Sequence, residues 1–345
     1  MNLSRWAVPA SYFSLVLGLT GLGNGWRVAS RLWGFPTWIG EAVMAVAVAV
    51  WAVLLLRFAF KCIAVREPAR AEAAHPVQCC FIALVPVATM LAGIGVLPHA
   101  HGAGTVIILV GAAASLLFGL WRHGGQWRGG RDAKTTTTVL YLPTVGANLV
   151  SAIAMSALGW PSWGQLFFGA GVLAWIVQES IILGRFLTVE PLPLALRPTV
   201  GIQMAPPAVA LLAYAAVTVG PPDLFARMLL GYAIVQALMV LRLMPWIRQP
   251  FTLSYWAFTF GATAISTGTM RFAERGDDPV FTTLAPVLFA MSNVVIAGLS
   301  IASVAWVLRT KPAPATPSAS TSATTSSSIS ATTSATTSAP TVSGS

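Results

Sequence analysis

Cys80-Phe-Ile-Ala-Leu-Val-Pro86-Val-Ala-Thr-Met-Leu-Ala-Gly-Ile-Gly-Val-Leu97 carries no charge and has a proline near its middle. An uncharged run of about 20 residues is long enough to cross a bilayer as a helix. Inside hydrocarbon every backbone amide and carbonyl needs an internal partner, so a run with no two-residue alternation reads as helix rather than barrel strand. Working outward, the same arrangement recurs: Pro9, Pro143 and the pair Pro206, Pro207 also fall inside long apolar runs. Unbroken apolar runs separate them, so every second run carries a break.

The composition requires many such runs. Of 345 residues, 56% are hydrophobic and 9% charged, more apolar matter than a water-soluble core can hide. Ten spans are expected, at residues 7–25, 38–60, 80–97, 104–121, 139–158, 165–184, 200–219, 226–244, 252–270 and 280–307. The fold class is therefore all-α and integral to the membrane. Arg5 ahead of the first run suggests a signal peptide, but Leu17 to Gly25 continues into Trp26 and Arg27 without an Ala-x-Ala site, so this run is read as the first span.

One broken and one unbroken span make a repeating unit, a helical hairpin. The ninth span has no proline but holds Gly261 in the fifth place, while Pro286 in the tenth departs from the pattern. Five hairpins result, and the broken helices are the candidates for an inner ring around a central pore. Backbone freed by a proline is tolerated where protein packs against it or water reaches it. The competing reading is that the prolines only bend packed helices.

Lys and Arg give the orientation, because cytoplasmic loops are enriched in them. With the N-terminus inside, inner segments carry Arg5, Lys61, Arg66, Arg70, Arg122, Arg128, Arg131, Lys134, Arg185, Arg197, Arg242, Arg248, Arg309 and Lys311, fourteen of the 20 basic residues. Arg27, Arg31, Arg227, Arg271 and Arg275 fall in outer loops, and Arg57 lies a turn from the inner end of the second span. Both termini then face the cytoplasm. The net charge of +10 needs no nucleic acid, since anionic lipid of the bilayer accounts for a basic inner surface.

Residues 1–309 form the channel domain in this reading. Residues 310–345 are rich in Ser, Thr, Ala and Pro and form a disordered cytoplasmic tail, because such a composition buries too little apolar surface to offset ordering. Cys62, Cys79 and Cys80 lie at the inner ends of spans, where thiols stay reduced. His99 and His101 lack a neighbouring carboxylate or cysteine to complete a metal site, and four scattered histidines supply no catalytic constellation. No metal, cofactor or enzyme activity is expected. Glu41 reads as a charge at a helix N-terminus, and Glu179 as one half of an ion pair with a basic residue near the inner surface.

As drawn, the odd-numbered spans contain no Asp, Glu, Lys, Arg or His. A proton-coupled carrier needs a titratable relay, and an acidic ring selects cations; these walls have neither. They offer Ser11 and Ser14, Thr89, Thr144 and Asn148, Gln203, Thr259 and Thr263 near the breaks at Pro9, Pro86, Pro143, Pro206 and Gly261. Such groups, with partly freed amides, solvate an anion weakly. Weak binding suits a channel, because the ion must leave as readily as it enters.

Several segments resemble one family. They are Pro9-Ala-Ser-Tyr-Phe-Ser14, His75-Pro76 with Pro86-Val-Ala-Thr-Met90, and Tyr141-Leu-Pro-Thr-Val145 with Asn148. Gly201-Ile-Gln-Met-Ala-Pro206, Leu241-Arg-Leu-Met-Pro-Trp246 and Ser254-Tyr-Trp-Ala-Phe-Thr-Phe-Gly261 continue the series. In order over residues 7–309, they resemble the tellurite-resistance TehA, slow-type anion channel and dicarboxylate transporter superfamily, closest to its bacterial tellurite-resistance branch. The resemblance implies ten helices in five hairpins, one pore per subunit, a homotrimer, and a bacterial inner-membrane location. It implies passive conduction of anions such as chloride or nitrate, with tellurite and dicarboxylates as further substrates, and a phenylalanine of the ninth helix as gate. A cytosolic methyltransferase is a partner linked to tellurite resistance in relatives.

Phe260 matches the gate position. Phe258 lies two residues away, about 200° around a helix, so both cannot face one axis. Family members often carry Gly where this chain has Ser11 and Ser14, and added side chains there would narrow the path. The alternative function is a secondary carrier for dicarboxylate or tellurite oxyanions.

Overall fold

The computed structural model describes residues 7–309; the expected tail at 310–345, with Lys311, and Arg5 at the other end lie outside the described residues. Every regular element described is helical. The α-helices are α1 (Ser14–Trp33), α2 (Thr37–Ala64), α3 (Arg66–Ala74), α4 (Gln78–Phe81), α5 (Leu84–Val96) and α6 (His101–Gln126), then α7 (Ala147–Ala157), α8 (Pro161–Thr188), α9 (Ala205–Val217), α10 (Leu224–Ile247), α11 (Thr259–Ala273) and α12 (Pro279–Arg309). Among the described residues, 8 helical stretches are long and apolar enough to cross a membrane, and they match the second to eighth and the tenth expected spans. The two others differ for plain reasons. The first is α1, 20 residues long but diluted by Asn24, Arg27 and Arg31; the ninth is α11, diluted by Thr259, Thr263, Ser266, Thr267, Thr269 and Arg271.

The prolines do not kink the middles of long α-helices as expected. They mark where the α-helix starts. Pro9 precedes a 3₁₀ turn, Ala10–Phe13, that leads into α1. Pro86 is the third residue of α5, and Pro206 and Pro207 are the second and third of α9. Pro143 sits in a π-helical turn, Leu142–Gly146, between a 3₁₀ turn and α7. Longer 3₁₀ segments, Leu194–Met204 and Leu253–Phe258, lead into α9 and α11. Proline has no N–H to donate and its φ is preset, so the first helical turn is where it costs least. Pro286 stays inside α12.

Two populations of helix result. In the hydrophobic windows of the segments containing α5, α7 and α9, 72%, 72% and 78% of residues are buried, whereas for α2, α6, α8, α10 and α12 the share is 11 to 33%. The buried set forms a closed cycle of contacts: α1 touches α5, α5 touches α7, α7 touches α9, α9 touches α11, and α11 returns to α1. Each also packs against the next long helix in the chain, α2, α6, α8, α10 or α12. The exposed helices show Val, Leu, Ile and Trp outward, among them Leu56, Leu117, Leu166, Val177 and Val294, as a face toward lipid requires.

The seam between α1 and α11 is built from small residues. Gly18, Gly21 and Gly25 on α1 face Thr259, Thr263 and Thr267 on α11. A β-carbon at Gly18 would stand 2.5 Å from Thr259 Oγ1, and one at Gly21 would overlap Thr263 Oγ1 outright. Lipid tails are as apolar as leucine, so packing in a membrane depends on close backbone approach of this kind.

Candidate functional site

Three successive cavities lie inside the cycle of five helices, and Phe260 lines all of them. Each helix supplies residues one turn further along at each level. From α1 and its lead-in come Ser11, Ser14 and Leu17, then Leu17, then Gly21 and Asn24. From α5 come Leu84, then Leu84 and Val87, then Leu91 and Ile94. From α9 come Ala205, then Pro206 and Val209, then Leu212 and Ala216. The π turn and α7 contribute Leu142, then Val145 and Leu149, then Ile153 and Ser156. Steps of three and four residues are the repeat of one helix face. Numbers rise in the same direction on α1, α5, α7 and α9, so these helices run parallel, their N-terminal turns meeting around the first two cavities.

The first cavity holds hydroxyls, from Ser11, Ser14, Thr199 and Ser254. The second is walled by Leu, Val, Ala and Pro side chains beside Phe260 and Tyr141. The third is polar again, with Asn24, Ser156, Thr267 and Arg271. Phe260 stands in the first turn of α11, half-buried, where the lead-in helix hands over. Phe258, the other aromatic considered for this place, packs against Gly201 and stacks on Tyr255 with ring centroids 6.1 Å apart.

Of the residues singled out from sequence, Phe260, Ser11, Ser14 and Pro206 come together at the cavities. Gly261 lies against Met204 and Ala205, at the α9–α11 contact. The others turn elsewhere. Thr89 accepts a hydrogen bond from Trp51 Nε1 of α2 at 3.1 Å. Pro143, Thr144 and Asn148 line a separate cleft against α6, and Thr144 Oγ1 accepts from Gln178 Nε2 at 2.5 Å. The carbonyl of Pro86 faces Gly111 of α6. Thr259 and Thr263 belong to the α1–α11 seam, and Pro9 caps the 3₁₀ turn before α1. Gln203 donates to Glu179 at 2.8 Å.

Glu179 has no basic partner among the described residues, contrary to expectation. Its carboxylate accepts from Tyr141 and Tyr232 hydroxyls at 2.6 and 2.8 Å, Trp175 Nε1 at 2.8 Å, and Gln203 and Gln236 amides at 2.8 and 3.0 Å. Five donors from α7's lead-in, α8, α9's lead-in and α10 therefore meet on one acid. Charged hydrogen bonds are the strong ones, and complete satisfaction makes a half-buried acid tolerable.

The charge-free walls also need correction, because the helices run further than drawn. α1 continues through Arg27, which makes a two-point ion pair with Glu41 at 2.7 Å and 2.7 Å. Glu41 also meets His99 Nε2 at 2.8 Å. α11 continues to Ala273, so Arg271 belongs to it and lines the third cavity. The sequence signal was present, a basic residue one step past the drawn end of an apolar run.

The chain matches the family model described as voltage-dependent anion channel over residues 7–304. It is 35% identical over 299 residues to a tellurite resistance protein TehA homolog of Haemophilus influenzae, covering 86% of this chain and 90% of that one. The S-type anion channel SLAH3 of Arabidopsis thaliana is 26% identical, with 87% of this chain aligned to 49% of the plant protein. The guard cell S-type anion channel SLAC1 of the same plant is 25% identical, with 86% of this chain aligned to 55% of it. The chain thus spans about half the length of these two plant relatives. A family match across nearly all of the described residues, with a relative at 35% identity end to end, places the chain in the voltage-dependent anion channel family that includes TehA-type and S-type proteins.

Proposed function

We propose that this protein is a passive anion channel whose path runs through the three cavities and is closed by the Phe260 ring. The observation that carries the reading is that one side chain borders every cavity on the line. On either side an ion meets hydroxyls, amides or a guanidinium; at the middle it meets hydrocarbon and a benzyl ring. A halide there loses water without replacement partners, and the barrier is its desolvation. Parallel helices α1, α5, α7 and α9 present the positive ends of their dipoles toward this level, which favours anions over cations.

The same reading makes ten membrane helices in five hairpins, α1, α5, α7, α9 and α11 inside and α2, α6, α8, α10 and α12 outside, within one domain of residues 1–309. It puts both termini on the cytoplasmic side of a bacterial inner membrane and three copies in the working assembly. The TehA name of the Haemophilus relative motivates tellurite as a second anion to assay.

Planar-bilayer recording in chloride and nitrate tests the gate. Wild type is expected to be silent, and Phe260→Ala to give ohmic, anion-selective current at least about tenfold larger, the factor that about 1.4 kcal/mol of barrier sets. Silence of both, with saturable dicarboxylate uptake into proteoliposomes, would replace the channel with a carrier.

A further inference from the structure

The third cavity holds three polar groups that the fold leaves without partners. Ser156, Thr267 and Arg271 line this one cavity, and Ser156 Oγ, Thr267 Oγ1 and Arg271 Nε make no hydrogen bond among the described residues; the two hydroxyl oxygens rest against Gly164 of α8 and Gly25 of α1. Ser and Thr in membrane helices ordinarily donate to a carbonyl one turn back. Thr259, Thr263 and Thr269 on the same helix do so. Thr267 does not. Arg271 forms no ion pair among the described residues, although Arg31 nearby is paired with Glu274 at 3.0 Å and Arg27 with Glu41.

Buried donors without acceptors are rare and call for an explanation, a bound water or ion among them. Here they are all donors or hydroxyls, one is a fixed cation, and no carboxylate lines the cavity. Arg31 and Arg275 near it carry the same sign, and the nearby Glu274 carboxylate is taken up by Arg31. Arg275 also forms no ion pair among the described residues and donates to the Thr218 hydroxyl at 3.4 Å and the Ala215 carbonyl. Asn24, on the cavity wall from α1, has an amide free to add a fourth donor.

We propose that the Arg271 guanidinium and the Asn24 amide, with the Thr267 and Ser156 hydroxyls turned in from Gly25 and Gly164, form a binding site for a small monovalent anion, halide or nitrate, in the cavity on the Arg271 side of Phe260. The proposal deepens the channel reading and rests on it for its role in conduction. The site gathers anions next to the gate on one side only, since the cavity on the other side has hydroxyls but no charge. Nitrate and halide both fit a guanidinium edge and hydroxyl donors. The asymmetry makes conduction favour anions entering from the Arg271 mouth.

The test compares Phe260→Ala with Phe260→Ala/Arg271→Gln and Phe260→Ala/Arg271→Lys in planar bilayers, alongside bromide anomalous diffraction from wild-type crystals and from Arg271→Gln crystals. With the gate removed, Arg271→Gln is expected to cut single-channel conductance about three- to tenfold near 10 mM chloride, where the Debye length is about 30 Å, with the gap closing toward 1 M, where it is about 3 Å. Lys should recover most of the low-salt conductance. Equal conductance of the Gln variant and its parent at low salt overturns the site while leaving the channel intact. If Phe260→Ala is itself silent, the channel reading fails and diffraction decides the site alone. Bromide at Arg271 in wild type and not in the Gln variant then supports it, and bromide absent, or unchanged in the variant, overturns it.

Discussion

The α1–α11 seam and the Glu179 cluster join helices by opposite means. At the seam, Gly18, Gly21 and Gly25 let two backbones approach until Thr259, Thr263 and Thr267 fill the remaining space. Around Glu179, five side-chain donors bridge the helices through one carboxylate. The difference shows which forces remain when burial against lipid supplies no gain: dispersion at close range, and the cost of leaving a polar group unmet. The seam tolerates no added atoms, while the cluster tolerates no removed ones.

Removing the acid should therefore do most damage. Glu179→Leu leaves five donors without their shared acceptor, and at about 1–3 kcal/mol for each buried group that finds no substitute, a loss of at least about 3 kcal/mol is expected. Unfolding in mixed micelles measures it. Glu179→Gln, which keeps an acceptor oxygen, should lose about half as much; equal losses would mean that shape, not acceptance, holds the cluster.

At the seam, Gly21→Val forces α1 off Thr263 and should cost about 3 kcal/mol, the upper end of overpacking penalties. The double variant Gly21→Ala/Thr263→Ala should recover more than the single changes sum to, with a coupling of about 1–2 kcal/mol. Additive behaviour would separate α1 from α11. Gly25 is a finer probe, because its added methyl would stand 3.3 Å from Thr267 Oγ1. Gly25→Ala should cost less than about 1 kcal/mol.

A third kind of join lies at the turn between α9 and α10. Asp223 caps α10, accepting from Ala226 N at 2.9 Å and from the Tyr214 hydroxyl at 2.5 Å. The Tyr214 hydrogen bond, ahead of the backbone donors, holds its carboxyl below the usual carboxylate range. A folded-state value below the unfolded one stabilises above the unfolded pKa and loses that effect as pH falls through the folded value. Asp223→Asn should then be slightly less stable than wild type at neutral pH, the two converging below about pH 4, where a free Asp begins to protonate. A gap that persists at pH 2 would make the cap purely geometric.

The helical class and the alternation of buried and exposed helices were legible in the apolar runs and their prolines. Side-chain direction was not. A 3₁₀ turn advances about 120° per residue and an α-helix about 100°, so lead-ins of different length shift the phase of the α-helix they open. Thr89, Thr144 and Asn148 sit near the breaks as the sequence says, yet they face α2, α8 and α6. Glu179 misled for another reason: its partners are aromatic and amide donors scattered from Tyr141 to Gln236, and none carries a charge that marks it. Arg271 was hidden by a boundary, since hydropathy ends a run where the first cation appears while the helix continues two residues further.

The closing contact of the helix cycle joins the chain's beginning to its end. Gly18 and Thr259 are about 240 residues apart, and loop closure over such a length is entropically late. During synthesis α1 enters the bilayer with its glycine face uncovered and waits while the other long helices are made. Biogenesis of this protein is thus set by its last quarter, and a chain truncated before α11 would leave an unmatched glycine groove open to any other helix that passes.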